Sequence, residues 1–330
     1  MDQFTAHLDR GWDLAQRGDA LGAEDSARRA MALEGDSPEA HNLMGYTRAL
    51  RGDAEEALEL YQQAIALDET FLEAILNAAE VCLHPLGDPE AALHFLAAAS
   101  ELAEAPDEHI EISLLKFDAL TDLGKTSEAE TLAGRLPKAP YENPAHYFLI
   151  GRALFESGNH EEAEPLLIEA SRLEPSNPEV SYYLGMLRDE QGDSRAASAC
   201  FLQTRERDLR LPVVPWSTSR ENFEAILLRA FEALPVRLRS LVDPAEIYVN
   251  DLPGMEIIVE GADPRAALIL DPLEGSSVLF RVFVYQRNVE RISGSFDRVE
   301  ETCLTCLEHE IASFALGEPM TPAAEAGSLN

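Results

Sequence analysis

An array of about six helix pairs followed by a small C-terminal α+β domain, mainly α overall, is the fold class the sequence predicts. The first observation is a set of glycines, Gly18, Gly52, Gly87, Gly124, Gly158 and Gly192, separated by 34, 35, 37, 34 and 34 residues. The second is what surrounds them. Gly52 has a glycine seven residues before it (Gly45), an alanine five after (Ala57), an aromatic nine after (Tyr61) and an alanine twelve after (Ala64). The same offsets give Gly11, Ala23 and Ala30 around Gly18, Gly151, Ala163 and Ala170 around Gly158, and Gly185, Ala197 and Phe201 around Gly192. The third is a break. At Leu211-Pro212-Val213-Val214-Pro215-Trp216 the periodicity stops, and short runs with β-type alternation follow.

Small residues at fixed places on two helices let their backbones approach closely, and a glycine-led turn reverses the chain between them. The apolar face that one pair cannot bury alone is covered by the next pair. Over residues 1–210 this pattern resembles the tetratricopeptide repeat family, whose 34-residue unit carries these glycine, alanine, aromatic and proline positions. Pro175, seventeen residues after Gly158, falls at the family's proline. The third and fourth units are looser, with Glu80 and Phe117 where the other units have the first-helix glycine.

Residues 1–34 form the first pair, with Trp12 on its opening helix, and Asp36-Ser37-Pro38 signals the start of the next. The pair from Pro38 to Phe71 turns at Gly52-Asp53. In the third, the first helix is expected to end near His84-Pro85, where proline disfavours continuation. Pro137, Pro140 and Pro144 cluster between the fourth and fifth units and mark the expected bend in the array. If the family geometry holds, first helices line a concave groove, and the residues turned to it are Asn42, Tyr46, Asn77, Phe148, Arg152, Tyr182 and Met186.

Charge narrows the partners. The net charge is −34, and residues 1–210 carry 41 acidic against 17 basic residues. Between Arg51 and Lys116 there is no Lys or Arg, while fifteen Asp and Glu occur there, among them Glu73, Glu80, Glu108 and Glu111. Such a field repels nucleic acid and anionic membranes and attracts cationic partners. The expectation is a basic protein or peptide partner, with no nucleic acid and no membrane. A solvated acidic surface that only maintains solubility, or a salt-adapted proteome, would give the same composition. The first nineteen residues lack an uninterrupted apolar core and no stretch approaches the length of a membrane span, which leads us to expect a cytoplasmic protein. Four scattered cysteines, Cys82, Cys200, Cys303 and Cys306, are too few for a disulfide framework and read as free thiols.

Residues 211–218 read as a linker, 219–319 as the second domain and 320–330 as a flexible tail. Ser219 caps a helix through about Leu234, with Phe223, Ile226, Leu227, Ala230 and Phe231 at helical spacing. Strands are expected at 246–249, 256–259, 267–270 and 279–285, the last within a strand region reaching residue 292. A final helix is expected from Asp297 to about Leu316 and contains Glu308-His309-Glu310-Ile311-Ala312-Ser313.

The order of these segments, with the helix ending in Leu234-Pro235, Val249-Asn250-Asp251-Leu252-Pro253, and Leu270-Asp271-Pro272-Leu273-Glu274-Gly275, resembles the minimal zincin-like metallopeptidase family over residues 220–318. That resemblance implies a zincin-like fold, with His309 as a metal ligand and Glu310 as general base. The departures from the family bear on chemistry. Ser313 stands where the second histidine belongs, Leu316 where the following glycine belongs, with Gly317 one later, and Pro319 at the acidic ligand position. One imidazole cannot supply the three protein ligands of a catalytic zinc. Cys303, Cys306 and His309 could offer a soft ligand stripe, although small sulfur side chains facing the core are the commoner outcome. Two readings follow. In the first, the chain is a non-catalytic adaptor with no cofactor, an acidic repeat scaffold joined to a domain that has lost its metal site. In the second, it is a zinc metallopeptidase with an unusual ligand set, its substrate recruited by the repeats.

Overall fold

The computed structural model describes residues 2–242, 245–273 and 280–316. The positions Glu274, Gly275, Gly317 and Pro319, Leu279 at the start of the last expected strand, and the tail 320–330 lie outside these. The protein is mainly α-helical, repeated helix pairs being followed by a small C-terminal region that holds its strands. It divides into two compact units, residues 1–159 and 160–330.

The first unit holds α1 (Gln3–Gln16), α2 (Ala20–Leu33), α3 (Pro38–Leu50), α4 (Ala54–Leu67), α5 (Leu72–Leu83), α6 (Pro89–Leu102), α7 (Pro106–Asp122), α8 (Thr126–Ala133) and α9 (Ala145–Glu156). The helices follow from two local rules. Gly18, Gly52, Gly87, Gly124, Gly158 and Gly192 all have φ between 63° and 83°, the left-handed conformation that ends a helix at low cost only for a residue without a Cβ. The residue after the glycine then starts the next helix: Asp19, Asp88 and Asp193 accept from the backbone N–H groups of Gly22, Ala91 and Ala196. Reversal and restart therefore take two residues. The first helix of the third pair ends at Leu83, directly before His84-Pro85. The proline cluster 137–144 lies between α8 and α9, and the division between units falls later, after α9.

Packing explains the small residues. A Cβ added to Gly45 would lie 2.7 Å from the Tyr61 ring and 3.2 Å from the Ala57 carbonyl oxygen, so the glycine in α3 leaves room for the aromatic of α4. Ala57, Tyr61 and Ala64 are all essentially solvent-free. Each first helix also touches the next first helix, α1 to α3, α3 to α5, α5 to α7 and α7 to α9, which makes their row the inner, tighter one of this unit.

The second unit begins with α10 (His160–Leu173), α11 (Pro178–Glu190) and α12 (Ser194–Arg210). It continues with α13 (Arg220–Ala233), α14 (Val236–Val242), β1 (Ala245–Asn250), α15 (Met255–Val259), β2 (Leu268–Pro272), β3 (Phe280–Tyr285), α16 (Gln286–Ser293) and α17 (Val299–Leu316), with a single 3-10 turn over Phe296–Arg298. The sheet order is β1-β3-β2; β1 runs parallel to β3, with Ile247 opposite Val282, and β2 antiparallel, with Leu270 opposite Val282. One sheet face carries Leu268, Leu270, Val282 and Val284 into a core with Phe223 and Leu227 of α13 and Cys303, Leu307 and Ile311 of α17.

Two expectations in this region need correction. Residues 256–259 form helix α15 rather than a strand: the N–H groups of Gly261 and Ala262 close back on the Ile258 and Ile257 carbonyls, and Gly261, at φ 106°, ends the turn. The strand region ends at Tyr285, and 286–293 is helix α16. Its buried side chains include Gln286, Asn288, Glu290 and Ser293, so there was no apolar period to read. Helix α14 was not anticipated. Residues 211–218, read as a linker, are tied down at Ser217 and Thr218, which donate to the buried Glu290 carboxylate, while Trp216 packs against the core.

We expect Gly45→Ala to destabilise the protein by about 1–3 kcal/mol despite alanine's better helix propensity, because the added methyl overpacks against Tyr61. Urea unfolding followed by circular dichroism reads the loss, and Tyr61→Leu in the same chain should recover part of it.

Candidate functional site

Two positions on the first helix recur through the repeats and form columns. Leu8, Asn42, Asn77, Leu114, Phe148 and Tyr182 occupy one, and Trp12, Tyr46, Val81, Asp118, Arg152 and Met186 the other. All seven expected groove residues belong to these columns, but they are not equally open. Asn42 is fully buried and forms a ladder: Asn77 Nδ2 donates to Asn42 Oδ1 at 2.9 Å, and Asn42 Nδ2 donates to Glu73 Oε1 at 3.0 Å. Tyr46 lies against Trp12, ring centroids 5.1 Å apart. Arg152 Nη2 donates to both oxygens of Asp118, at 2.8 and 2.7 Å. Phe148, Tyr182 and Met186 are buried. In the second unit Tyr182 donates to Asp263 at 3.1 Å and lies under Arg265. In the first unit, then, the inner face around α3, α5 and α7 keeps Tyr46 and Asn77 partly open and borders them with acids.

Glu73 and Glu80 on α5 and Glu108 and Glu111 on α7 make that border. Glu111 is exposed, yet surrounding protein displaces enough water to push its carboxyl above the usual range, and Glu80, Glu108 and Glu73 push it further by repulsion. Burial also raises Glu73, opposed by the Asn42 hydrogen bond. Tyr46 is raised by desolvation and by Glu80. Lys116, which ends the base-free stretch, donates its ammonium to Ser100 Oγ at 2.5 Å. The inner face of α5 and α7 thus carries crowded negative charge.

The second unit has a cleft of about 850 Å³ whose lining includes Arg205, Glu256, Asp271, Cys306, His309 and Glu310. It runs along β2, an edge of the sheet. His309 and Glu310 therefore do reach a common cavity. Their donor set is nevertheless a poor fit to zinc. His309 Nδ1 lies 3.8 Å from Glu310 Oε1, and Ser313 holds the next position on that side of α17. Burial pushes the Cys303 thiol up to about 12 and the Cys306 thiol up to about 11, which keeps both protonated, whereas a metal takes thiolate. Cys303 packs in the core beside Leu307. Among the described residues, no three His, Cys, Asp or Glu side chains come together to hold a metal ion.

Comparison with known proteins bears on the helical pairs. Family models described as tetratricopeptide repeat match residues 38–71, 114–178 and 148–199. The chain carries tetratricopeptide repeats. Similar solved structures include pilF of Pseudomonas aeruginosa, at 18% identity and TM-score 0.51, covering 68% of this chain and 97% of that one. PilW, described as a widely conserved type IV pilus biogenesis factor, is similar at 15% identity and TM-score 0.52, covering 63% and 94%. At such identities the likeness extends to the fold alone. No curated protein matches the chain. As in other tetratricopeptide repeat proteins, the repeat scaffold suggests protein or peptide partners. Among the described residues no helix is long and apolar enough to cross a membrane.

The folded pKa of Glu111 lies above the unfolded value, so the ionised group opposes folding at neutral pH, and that opposition fades as pH falls through the raised pKa toward 4.5. Glu111→Gln should therefore raise the melting temperature at pH 7, with the difference from wild type shrinking by pH 4.5.

Proposed function

We propose that the protein is a non-catalytic adaptor whose acidic repeat face binds a basic protein or peptide segment, with a C-terminal region that keeps a zincin-like arrangement without a working metal site. We place it in the cytoplasm and expect neither nucleic acid nor membrane as its partner. The observation that carries the reading is the inner face of α5 and α7, where Glu73, Glu80 and Glu108 crowd Glu111, while Lys116, the lysine of α7, donates to Ser100. Carboxylates held above their usual range, as Glu73 and Glu111 are, gain when a cation arrives, because the ligand relieves desolvation and repulsion the fold already bears. Asn77 and Tyr46 add hydrogen-bonding and aromatic surface beside them.

The second reading, a zinc metallopeptidase using His309 and Glu310, draws on their place at the cleft beside an edge strand. The protonated thiols and Ser313 weigh against it. Metal analysis of the purified chain separates the two: stoichiometric zinc that disappears in His309→Ala would favour the peptidase, and a metal-free chain the adaptor.

For the adaptor the probe is a fluorescent peptide rich in arginine and lysine. Its binding should weaken as ionic strength rises from about 0.01 M to about 0.15 M, where the screening length contracts from roughly 30 to roughly 8 Å. At about 0.2–1 kcal/mol per exposed charge contact, Glu73→Gln, Glu80→Gln and Glu111→Gln together should weaken binding roughly 3-fold to 100-fold. Salt-insensitive binding, or a triple variant that binds as wild type does, would defeat the proposal.

A further inference from the structure

A cluster of ionisable groups, which no spacing in the sequence announces, lies within the second unit where α11 and α12 meet the loop before β2 and helix α16. Arg265 sits at its centre. Its Nη1 and Nη2 donate to the two carboxylate oxygens of Glu179 at 2.5 and 2.6 Å, its guanidinium lies 4.4 Å over the Tyr182 ring, and its Nε is 3.5 Å from Asp208. Arg291 of α16 approaches the same Asp208 oxygen at 3.1 Å. Asp208 is 2% exposed. Asp263, 9% exposed, accepts from the Tyr182 hydroxyl at 3.1 Å and from the Arg265 backbone N–H at 2.8 Å.

Three carboxylates thus share two arginines in a water-poor seam. Two more arginines reach it but donate to backbone carbonyls: Arg205 on α12 to Pro253, and Arg287 on α16 to Asp208 and Leu211. The charged and titratable groups facing Asp263 are accordingly Glu179 and Tyr182 from α11, Arg205 and Asp208 from α12, Arg265 from its own loop, and Arg287 and Arg291 from α16. Arg265 is committed to Glu179, which leaves Asp263 the carboxylate with the weakest claim on a cation.

We propose that this cluster is a pH-sensitive latch, holding the 255–266 segment and α16 on the last helical pair more firmly once Asp263 has taken up a proton. Burial pushes the Asp263 carboxyl up to about 6, against the opposing pull of the Arg265 N–H, the Tyr182 hydroxyl and the Arg265 and Arg291 charges. A detached Asp263 would titrate near 3.8. The folded pKa is the higher one, so the closed state binds the extra proton: closure strengthens as pH falls from above 6 toward 4, and the gain is lost as pH rises through about 6. From these two values the opening equilibrium should fall about tenfold between pH 7 and pH 5.

Hydrogen–deuterium exchange on the full chain, corrected for the intrinsic pH dependence of exchange, tests the latch. Amides of 255–266 and 286–293 are expected to be about tenfold better protected at pH 5 than at pH 7. In Asp263→Asn, which keeps a neutral acceptor for Tyr182 and Arg265, protection should be equal at the two pH values. Tyr182→Phe removes a hydrogen bond to the carboxylate and should move the midpoint of the response to higher pH. Equal protection in the wild type at both pH values, or an undiminished pH response in Asp263→Asn, overturns the proposal. Should Asp263→Asn lose its native circular dichroism spectrum, Tyr182→Phe decides: an upward shift supports the latch and an unmoved midpoint refutes it.

Discussion

A helix pair of this size cannot bury its own apolar face, and most of what this chain does structurally follows from that shortage. The remedy is to bring the next pair close. Closeness needs small residues where helices cross, which is why Ala57 and Ala64 are solvent-free and why Gly45 leaves room for the Tyr61 ring. It also needs the chain to reverse within two residues, and the left-handed glycines with their capping aspartates accomplish that. Close packing on one side of the pair leaves the other side to solvent and charge. The excess of acidic residues collects on surfaces the packing does not use.

The same crowding gives the acidic face its character. Successive first helices touch one another, so carboxylates on α5 and α7 share surroundings that hold less water than an ordinary surface. That raises Glu73 and Glu111 through desolvation before repulsion is counted. An acidic tail of equal charge would spread out and relax; the repeat scaffold prevents the relaxation and keeps the field concentrated. The packing that builds the repeats thereby also shapes what they can attract.

How much of this was legible in the sequence depended on how local the cause was. The repeat turns were legible because each needs one residue type at one φ, and the helix boundaries followed from them. The columns of groove residues were legible as positions, but their exposure was not. Asn42 and Tyr182 occupy equivalent places, yet Asn42 is sealed by Asn77 and Glu73, whereas Tyr182 is sealed by Asp263 and Arg265, which lie about eighty residues away in the chain. Helix α16 escaped for a different reason: its inward face is polar and is satisfied by Ser217, Thr218 and backbone carbonyls, so no hydrophobic period marks it. In α17 the sequence did place His309 and Glu310 side by side, and both border the cleft. Cys303 faces the core, as small sulfur side chains were expected to, while Cys306, its thiol kept protonated by burial and by Glu310, lines the cleft.

The two halves of the second unit illustrate how a repeat array can end. A terminal pair needs something to cover the face that no further pair will bury, and a polar capping helix is a frequent solution. Here the last pair, α11 and α12, is met by α15, by the loop carrying Asp263 and Arg265, and by α16, so the capping role falls to a part of the chain with its own sheet and core. The contact is made with charges rather than with leucines. Burying ions has a desolvation cost that partners must offset, and a seam with three carboxylates and two committed arginines offsets it incompletely. A purely apolar cap would hold at any pH; a cap that includes Glu179, Asp208, Asp263, Arg265 and Arg291 holds more firmly once the buried Asp263 is protonated, which makes this end of the array responsive to pH.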